Sequence, residues 1–384
     1  MIKRCPIGPQ NGKHDNSYFL YEFISGNPSI PKGMRFSLKD KAKSAVVKGY
    51  EMRNGLSTNG MMTALRLHSF GDIPTLDRIP IPAIKSGETL VKVEAAAIGH
   101  LDLTIMSGNF NIRPSLPYVG GTDGAGIVIK SDRFRKGDRV ALRGGGLGML
   151  RSGTWAEYVA VPDEAVREVP AQLPAELAAT IYSPLTTSQI TLHDIARLGN
   201  WQFGPRSPAE EIVIVTGASG AVGSVVVQLA MRAGAHVIAI VSKDANVALV
   251  PPATEVISLS NTRRIEELAK SCSATLLVDT VAGERLAERI SWIKTGGRAA
   301  LLGYTAGKQL LLDLPNWFLS SVALLPVSML FHETKAKQVI DALTTLVTDG
   351  AIRLPVERYC FGDAHLGFER LANGLNHGKV VIAP

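Results

Sequence analysis

The chain has 384 residues, 46% of them hydrophobic, with a formal net charge of +7 and only three cysteines, so it can bury a core sufficient for about two domains. The longest apolar stretch, Trp317 to Phe331, is short, carries Ser320, Ser321 and Ser328 and is broken by Pro326, which excludes a spanning helix there. Cys5, Cys272 and Cys360 lie far apart without a C-x-x-C pair, which excludes a disulfide scaffold and a cysteine zinc lobe and leads us to expect a reducing cytoplasm, with no secretory segment at the front.

The positive charge is concentrated at the front, where residues 1–60 hold ten lysines and arginines against four acidic residues. The remainder is nearly neutral, so no basic footprint extends over the molecule and nucleic-acid binding is not expected. Residues 1–60 show no sustained hydrophobic period and scatter Gly, Asn, Ser and Pro. They read as a disordered tail, an upstream reading of the gene or a targeting peptide, with Met61 or Met62 as an alternative start.

From Thr63 the chain reads as short strands and turns. Ala64 to His68 comes first, followed by a proline-rich link and the alternating stretch Gly87 to Glu94, in which Val91 and Val93 face one side and Leu90, Lys92 and Glu94 the other. Gly120 to Ile129, Gly137 to Ala141 and Thr154 to Ala160 continue a β-rich domain. Pro174 to Ala196 has helical composition and links this half to the next.

The next stretch dominates the second half. Ile212 to Val215 is a β-branched run suited to a buried parallel strand, and Gly217, Gly220 and Gly223 follow at the spacing that lets backbone turn sharply and approach a pyrophosphate. A helix then begins beneath the phosphates, with Ser219, Gly220, Ala221, Val222 and Gly223 at its positive end, and Gly234 stops it before the strand His236 to Val241. That second strand ends in Ser242-Lys243 where an NAD site would place an acid on the ribose, so a 2′-phosphate and NADPH are expected. Further units follow: strand Ala274 to Asp279, helix Leu286 to Ile293, a turn at Gly296-Gly297 and strand Arg298 to Gly303. Helix Lys335 to Thr348 and strands Leu354 to Tyr359 and Lys379 to Ile382 fold back onto the first domain.

In order, Gly99-His-Leu-Asp-Leu, Gly121-Thr-Asp-Gly-Ala-Gly-Ile-Val, Phe134-Arg-Lys-Gly-Asp-Arg-Val, Thr154-Trp-Ala-Glu-Tyr-Val, the glycine fingerprint, Val278-Asp-Thr-Val-Ala-Gly, Gly296-Gly-Arg298 and Gly378-Lys-Val-Val-Ile resemble the medium-chain dehydrogenase/reductase superfamily. The similarity is to its zinc-independent quinone oxidoreductase-like and enoyl reductase-like branch, and covers Ala64 to the end. It implies an α/β protein: a GroES-like β-rich domain at 61–184 and 331–384, a Rossmann doubly wound parallel sheet at 185–330, and a cleft between them. It also implies a homodimer, with the apolar edge from Ala323 to Leu330 as its seam, and a small-molecule substrate.

The zinc ligands of metal-dependent members fall, by this resemblance, on Gly99, on Thr122 and near Tyr182, none of which completes a zinc site, and His100 alone cannot. The asparagine and tyrosines that line the pocket of quinone-reducing relatives are replaced by Gly99, Thr104 and Phe110, whereas Ser131 to Asp138 and the glycine run Arg143 to Gly148 are more similar to acrylyl-CoA reductase-like relatives. Tyr304-x-x-x-Lys308 spells the pair of short-chain dehydrogenases, but some two hundred residues precede the fingerprint and Gly307 interrupts the supposed helix turn.

The expected activity is therefore hydride transfer from NADPH to an enone, an enoyl ester or a quinone, with a redox-inactive NADPH-binding protein as the alternative. Thr186 is expected near the nicotinamide, with Gly303, Tyr304 and Lys379 as further cofactor contacts. No residue carries an assigned catalytic role. Asp102, His100 and Tyr182 are candidates, as is Tyr118, each with a plain packing or capping role as its competitor.

Overall fold

The structure of the protein, a computed structural model, describes residues 60–384, so the basic extension lies, apart from Gly60, outside the described residues. The β-rich part comprises β1 (Met61–Leu67), β2 (Thr75–Pro80), β3 (Glu88–Ile98), helix α1 (His100–Met106), β4 (Tyr118–Val119), β5 (Asp123–Lys130), β6 (Arg139–Arg143), β7 (Tyr158–Pro162) and β8 (Val166–Glu168). Antiparallel ladders join β2 to β1 and β1 to β4, and run β3 to β5 to β6 to β8, with β7 on β3. In β3, Val91 and Val93 are buried while Leu90, Lys92 and Glu94 are not, the alternation expected when one sheet face is solvated. The core beneath is closed by Trp155, whose ring meets Phe368 edge-on with centroids 4.9 Å apart.

A helical connection follows as α2 (Ala175–Ala178) and α3 (Tyr182–Ile190), which widens into a π-helical turn at Thr191–Ile195. The single helix read over 174–196 is thus broken: Thr180 bonds back to Glu176 and Leu177, and a new helix starts only at Tyr182. The Rossmann sheet then builds from β9 (Ile212–Thr216), α4 (Ala221–Arg232), β10 (His236–Val241), β11 (Glu255–Ser258), α5 (Thr262–Ser271), β12 (Ala274–Asp279), α6 (Leu286–Ser291), β13 (Ile293–Leu301), α7 (Leu314–Ser320) and β14 (Ala323–Pro326). All six strands are parallel, in the order β11-β10-β9-β12-β13-β14. Helices cover both faces, which explains the continuous β-branched run of β9: Val213 and Val215 enter the core shared with α4, and Ile214 enters the core under α5 and α6.

The chain returns through α8 (Glu333–Thr348), β15 (Val356–Cys360), α9 (Ala364–Ala372) and β16 (Lys379–Ala383), which pairs with β3 and β15. One sequence reading changes here. Gly296 and Gly297 do not form a turn between elements but a bulge inside β13, where the pairing jumps from Ala274↔Ile293 to Leu276↔Arg298, and Gly296 takes φ +78 to absorb the extra residues. Helix α8 buries Ile340, Leu343 and Val347 in a core that β9 and α4 share with Ala95, Ala125 and Val381 of the β-rich part. Among the described residues no helix is long and apolar enough to cross a membrane.

Candidate active site in the interdomain cleft

The glycine loop is shaped by contacts that exclude side chains. Thr280 donates its N–H to Thr216 Oγ1 (3.1 Å) and its hydroxyl to the Thr216 carbonyl (2.8 Å), drawing the loop after β12 against the end of β9. Gly217 turns there at φ +61, and a Cβ on it would stand 2.3 Å from Thr280 Oγ1; one on Gly223 would stand 2.2 Å from the Gly217 carbonyl oxygen. Gly220 caps α4 with no side chain, so the first-turn N–H groups of Ala221, Val222 and Gly223 stand without a side-chain acceptor. Ser219, Gly220, Ala221 and Val222 are half-buried along this rim. Donors, dipole and the space left by the missing Cβ atoms fit a pyrophosphate.

Ser242 and Lys243 are exposed just past β10, and the first carboxylate, Asp244, follows inside a 3-10 turn. Asn246 donates to Ser242 Oγ at 3.4 Å. Gly303 lies against the same loop after β12, where a Cβ would stand 1.9 Å from the Thr280 carbonyl oxygen, and Tyr304 beside it is 62% exposed. Thr186 is fully buried, and its hydroxyl donates to the Tyr182 carbonyl (2.8 Å) within α3. Ser188, two residues on, donates to the Val222 carbonyl (3.2 Å), so α3 is bolted to the glycine-loop helix by a residue the sequence reading passed over.

Around α1, β5 and the start of α3 the structure gathers a polar cluster. Asp102 is buried in α1; its Oδ2 accepts from the Gly99 N–H (2.7 Å) and its Oδ1 from the Thr122 N–H (3.1 Å), which joins the start of α1 to the loop before β5. Burial pushes its carboxyl up to about 7 against these donors, with Asp123 adding to the rise and Lys379 opposing it. Thr122 donates to Asp123 Oδ2 (3.0 Å), and the Arg143 guanidinium pairs with Asp123 Oδ1 while lying over the Tyr182 ring, 5.1 Å from its centroid. Tyr182 donates to Glu333 Oε1 (3.1 Å), and burial together with Glu333 holds its hydroxyl far above the range in which it would release a proton.

Lys379 stands among these charges with its ammonium pushed down by burial and by Arg143, while Asp123 and Asp102 pull the other way. His100 is exposed at the rim, where partial burial and then the Lys379 charge hold its imidazole below its ordinary value. The Tyr118 hydroxyl is buried, and burial followed by the Asp102 charge pushes it upward. A cavity of about 390 Å³ opens beside His100, between α1, α9 and the loop after β13, lined by Leu103, Met106, Thr305, Ala306 and Leu371. Among the described residues no three His, Cys, Asp or Glu side chains converge as a metal cage would require.

The buried Asp102 has a measurable consequence. Its folded-state value lies above its ordinary one, so the folded chain holds a proton that the unfolded chain has released. The contribution is complete below about pH 4 and is lost as pH rises towards 7, roughly 2–4 kcal/mol in all. Denaturant unfolding at pH 5 and pH 8 should show this loss in the native protein and not in Asp102→Asn; equal slopes in the two would contradict the assignment.

A β-rich domain and a parallel sheet that face each other across a glycine loop define a two-domain nicotinamide-dependent oxidoreductase architecture. Two family models match, the alcohol dehydrogenase GroES-like domain over residues 85–171 and the zinc-binding dehydrogenase over residues 221–345. The quinone oxidoreductase of Sus scrofa is 30% identical over 255 residues, which cover 63% of this chain and 73% of that protein. A zinc-type alcohol dehydrogenase-like protein of Schizosaccharomyces pombe is 33% identical over 232 residues, 59% of this chain and 65% of the relative. Among solved structures AibC superposes with a TM-score of 0.71 at 25% identity, covering 88% of this chain and 99% of its own. A quinone oxidoreductase of Pseudomonas syringae does so at 0.70 and 22%, covering 84% and 100%, a likeness of fold alone. The chain belongs to the medium-chain dehydrogenase/reductase superfamily, in its quinone oxidoreductase-like group.

Proposed function

We propose that this chain is an NADPH-dependent, zinc-independent reductase that adds hydride to an activated carbon–carbon double bond, an enone or enoyl ester, or to a quinone. The observation that carries the reading is the make-up of the polar cluster around α1, β5 and the start of α3. By the resemblance, the metal-ligand positions fall on Gly99 and Thr122 and near Tyr182, and the Tyr182 hydroxyl is engaged with Glu333. An unactivated alcohol would need a metal or a strong base to carry alkoxide character, and these side chains supply neither. A conjugated acceptor carries its own electron sink, so it asks less of the protein.

When bound, NADPH supplies the hydride. The first turn of α4 would hold its pyrophosphate, Ser242 and Lys243 its adenosine phosphate, and Gly303, Tyr304 and Lys379 the remainder, while Asp102 and Thr186 hold α1 and α3 in place. Loss of NADPH absorbance against a panel of quinones, enones and enoyl thioesters tests this, together with the zinc content of the purified protein. Turnover of a conjugated acceptor without stoichiometric zinc is expected. Efficient ethanol oxidation with inert enones and quinones would refute the reading, and NADPH binding without any turnover would favour a redox-inactive binding protein.

A homodimer fits the same reading. Strand β14 lies at the sheet edge, and Phe318 and Leu319 beside it are 65% and 79% exposed, an apolar border that a second copy would cover. Light scattering should give twice the 41.0 kDa of one chain, and a single-chain mass would count against it. Cys272 and Cys360 are free and exposed, which fits a reducing compartment such as the cytoplasm.

A further inference from the structure

Arg143 ends β6 in a part of the chain to which the cofactor reading gives no task. Its guanidinium is held from two sides, by Asp123 at Nη1 and by the Tyr182 ring beneath it, yet 41% of its side chain stays open. Nη2 and Nε have no hydrogen-bond acceptor among the described residues, and a guanidinium never gives up its charge. It is also connected to the glycine loop through α3. Tyr182 opens α3, and six residues along that helix, roughly 9 Å, Ser188 is bonded to the glycine-loop helix. Thr122 donates to Asp123, and the Tyr182 ring lies under the guanidinium, so both border the Arg143–Asp123 pair.

We propose that Arg143 is a catalytic residue of the reductase described above, receiving the carbonyl oxygen of an α,β-unsaturated carbonyl substrate and carrying the negative charge that develops there. The proposal rests on that reading of the function. As the β-carbon gains hydride from the reduced nicotinamide, which becomes oxidised, the electron pair of the double bond moves between the α-carbon and the carbonyl carbon. The carbonyl pair moves onto oxygen as an enolate. Arg143 stays protonated and donates a hydrogen bond to that oxygen. Water then gives a proton to the α-carbon, the carbonyl re-forms, and hydroxide takes a proton from solvent. A fixed donor of this kind acts where charge appears, so it should affect turnover more than substrate affinity. Asp123 holds the guanidinium in position and also neutralises part of its field, so the two residues have separable effects.

The test has a binding arm and a kinetic arm. In the binding arm, 4-nitrophenolate, a chromophoric stand-in for the enolate oxygen, is titrated into the full chain with the oxidised cofactor present and into Arg143→Gln, Arg143→Lys and Asp123→Asn. Phenolate affinity should fall about tenfold in Arg143→Gln, be largely kept in Arg143→Lys, and rise in Asp123→Asn, where the amide oxygen can still hold the guanidinium but the opposing charge is gone. In the kinetic arm, Arg143→Gln should lower kcat for an enone about a hundredfold with a much smaller change in KM. Phenolate affinity that is equal in native protein and Arg143→Gln, or that falls in Asp123→Asn, overturns the assignment. Those two outcomes are read without turnover, so they separate a failure of Arg143 from a failure of the reductase reading, which the native protein's acceptor panel judges alone.

Discussion

Replacing Arg298 by alanine is expected to destabilise the protein by about 3–5 kcal/mol, because it strands a carboxylate in the core. Arg298 and Glu211 are both fully buried, and their paired nitrogens and oxygens meet at 2.7 and 2.9 Å. Arg298 also donates to the Ala196 carbonyl (2.7 Å) and the Thr275 carbonyl (3.1 Å), and its guanidinium lies over the Trp201 ring, 5.3 Å from its centroid. Glu211 in turn accepts from the Gly199 N–H (2.9 Å) and from the Thr275 hydroxyl. Burial alone would raise the Glu211 carboxyl, but the bonds from Arg298 and Thr275 outweigh it and hold the group below the usual carboxylate range. One ion pair therefore ties together the entry to β9, the start of β12, β13 and the connection after α3. Urea unfolding reads the loss directly, and the double variant Glu211→Gln/Arg298→Met should recover part of it, since removing both charges leaves neither unpaired. A loss below about 1 kcal/mol in Arg298→Ala would contradict this account. The pair lies at the end of the sheet away from the glycine loop, so whatever protein remains folded should bind NADPH normally.

NADPH should bind at least tenfold more tightly than NADH, and Lys243→Ala should remove most of the difference. The expectation follows from the exposed Ser242 and Lys243 at the end of β10, with the first carboxylate, Asp244, only after them. A charge-assisted contact between an ammonium and a phosphate contributes on the order of 1.5–3 kcal/mol, which is tenfold or more in affinity. Because Lys243 is solvent-exposed, the preference should shrink as salt is raised. Fluorescence titration of both cofactors with native protein and with Lys243→Ala measures it. Equal affinities in the native protein would remove the basis for choosing NADPH. A preference that survives Lys243→Ala would move the recognition to another residue, with Ser242 the nearest.

Much of the fold was legible because it is written in local rules. The glycine loop is an example: backbone that must turn at φ +61 and pass within contact distance of Thr280 tolerates no Cβ, so Gly217 and Gly223 have to appear at fixed spacing whatever surrounds them. The β-branched run of β9 and the alternation in β3 are equally local, since burial on both faces or on one dictates them residue by residue. The glycines at 296 and 297 show the limit of such rules, because a turn and a bulge both call for Gly and only the partner strand decides between them.

What the sequence by itself determined, then, is the pairing of a β-rich part with a parallel α/β sheet, and the βαβ unit around the glycine loop. Only the tertiary structure decided what each polar side chain is free to do. Thr186 looks available in the sequence but spends its hydroxyl inside α3, and Tyr182 looks like a proton donor but is committed to Glu333, 151 positions away. Arg143 carries no motif as a site residue and yet is fixed between Asp123 and Tyr182, 20 and 39 positions distant in the chain. Hydrogen-bond partners and burial are properties of neighbours in space, which a linear pattern does not encode, and the chemistry of a cleft formed between two domains depends on those neighbours.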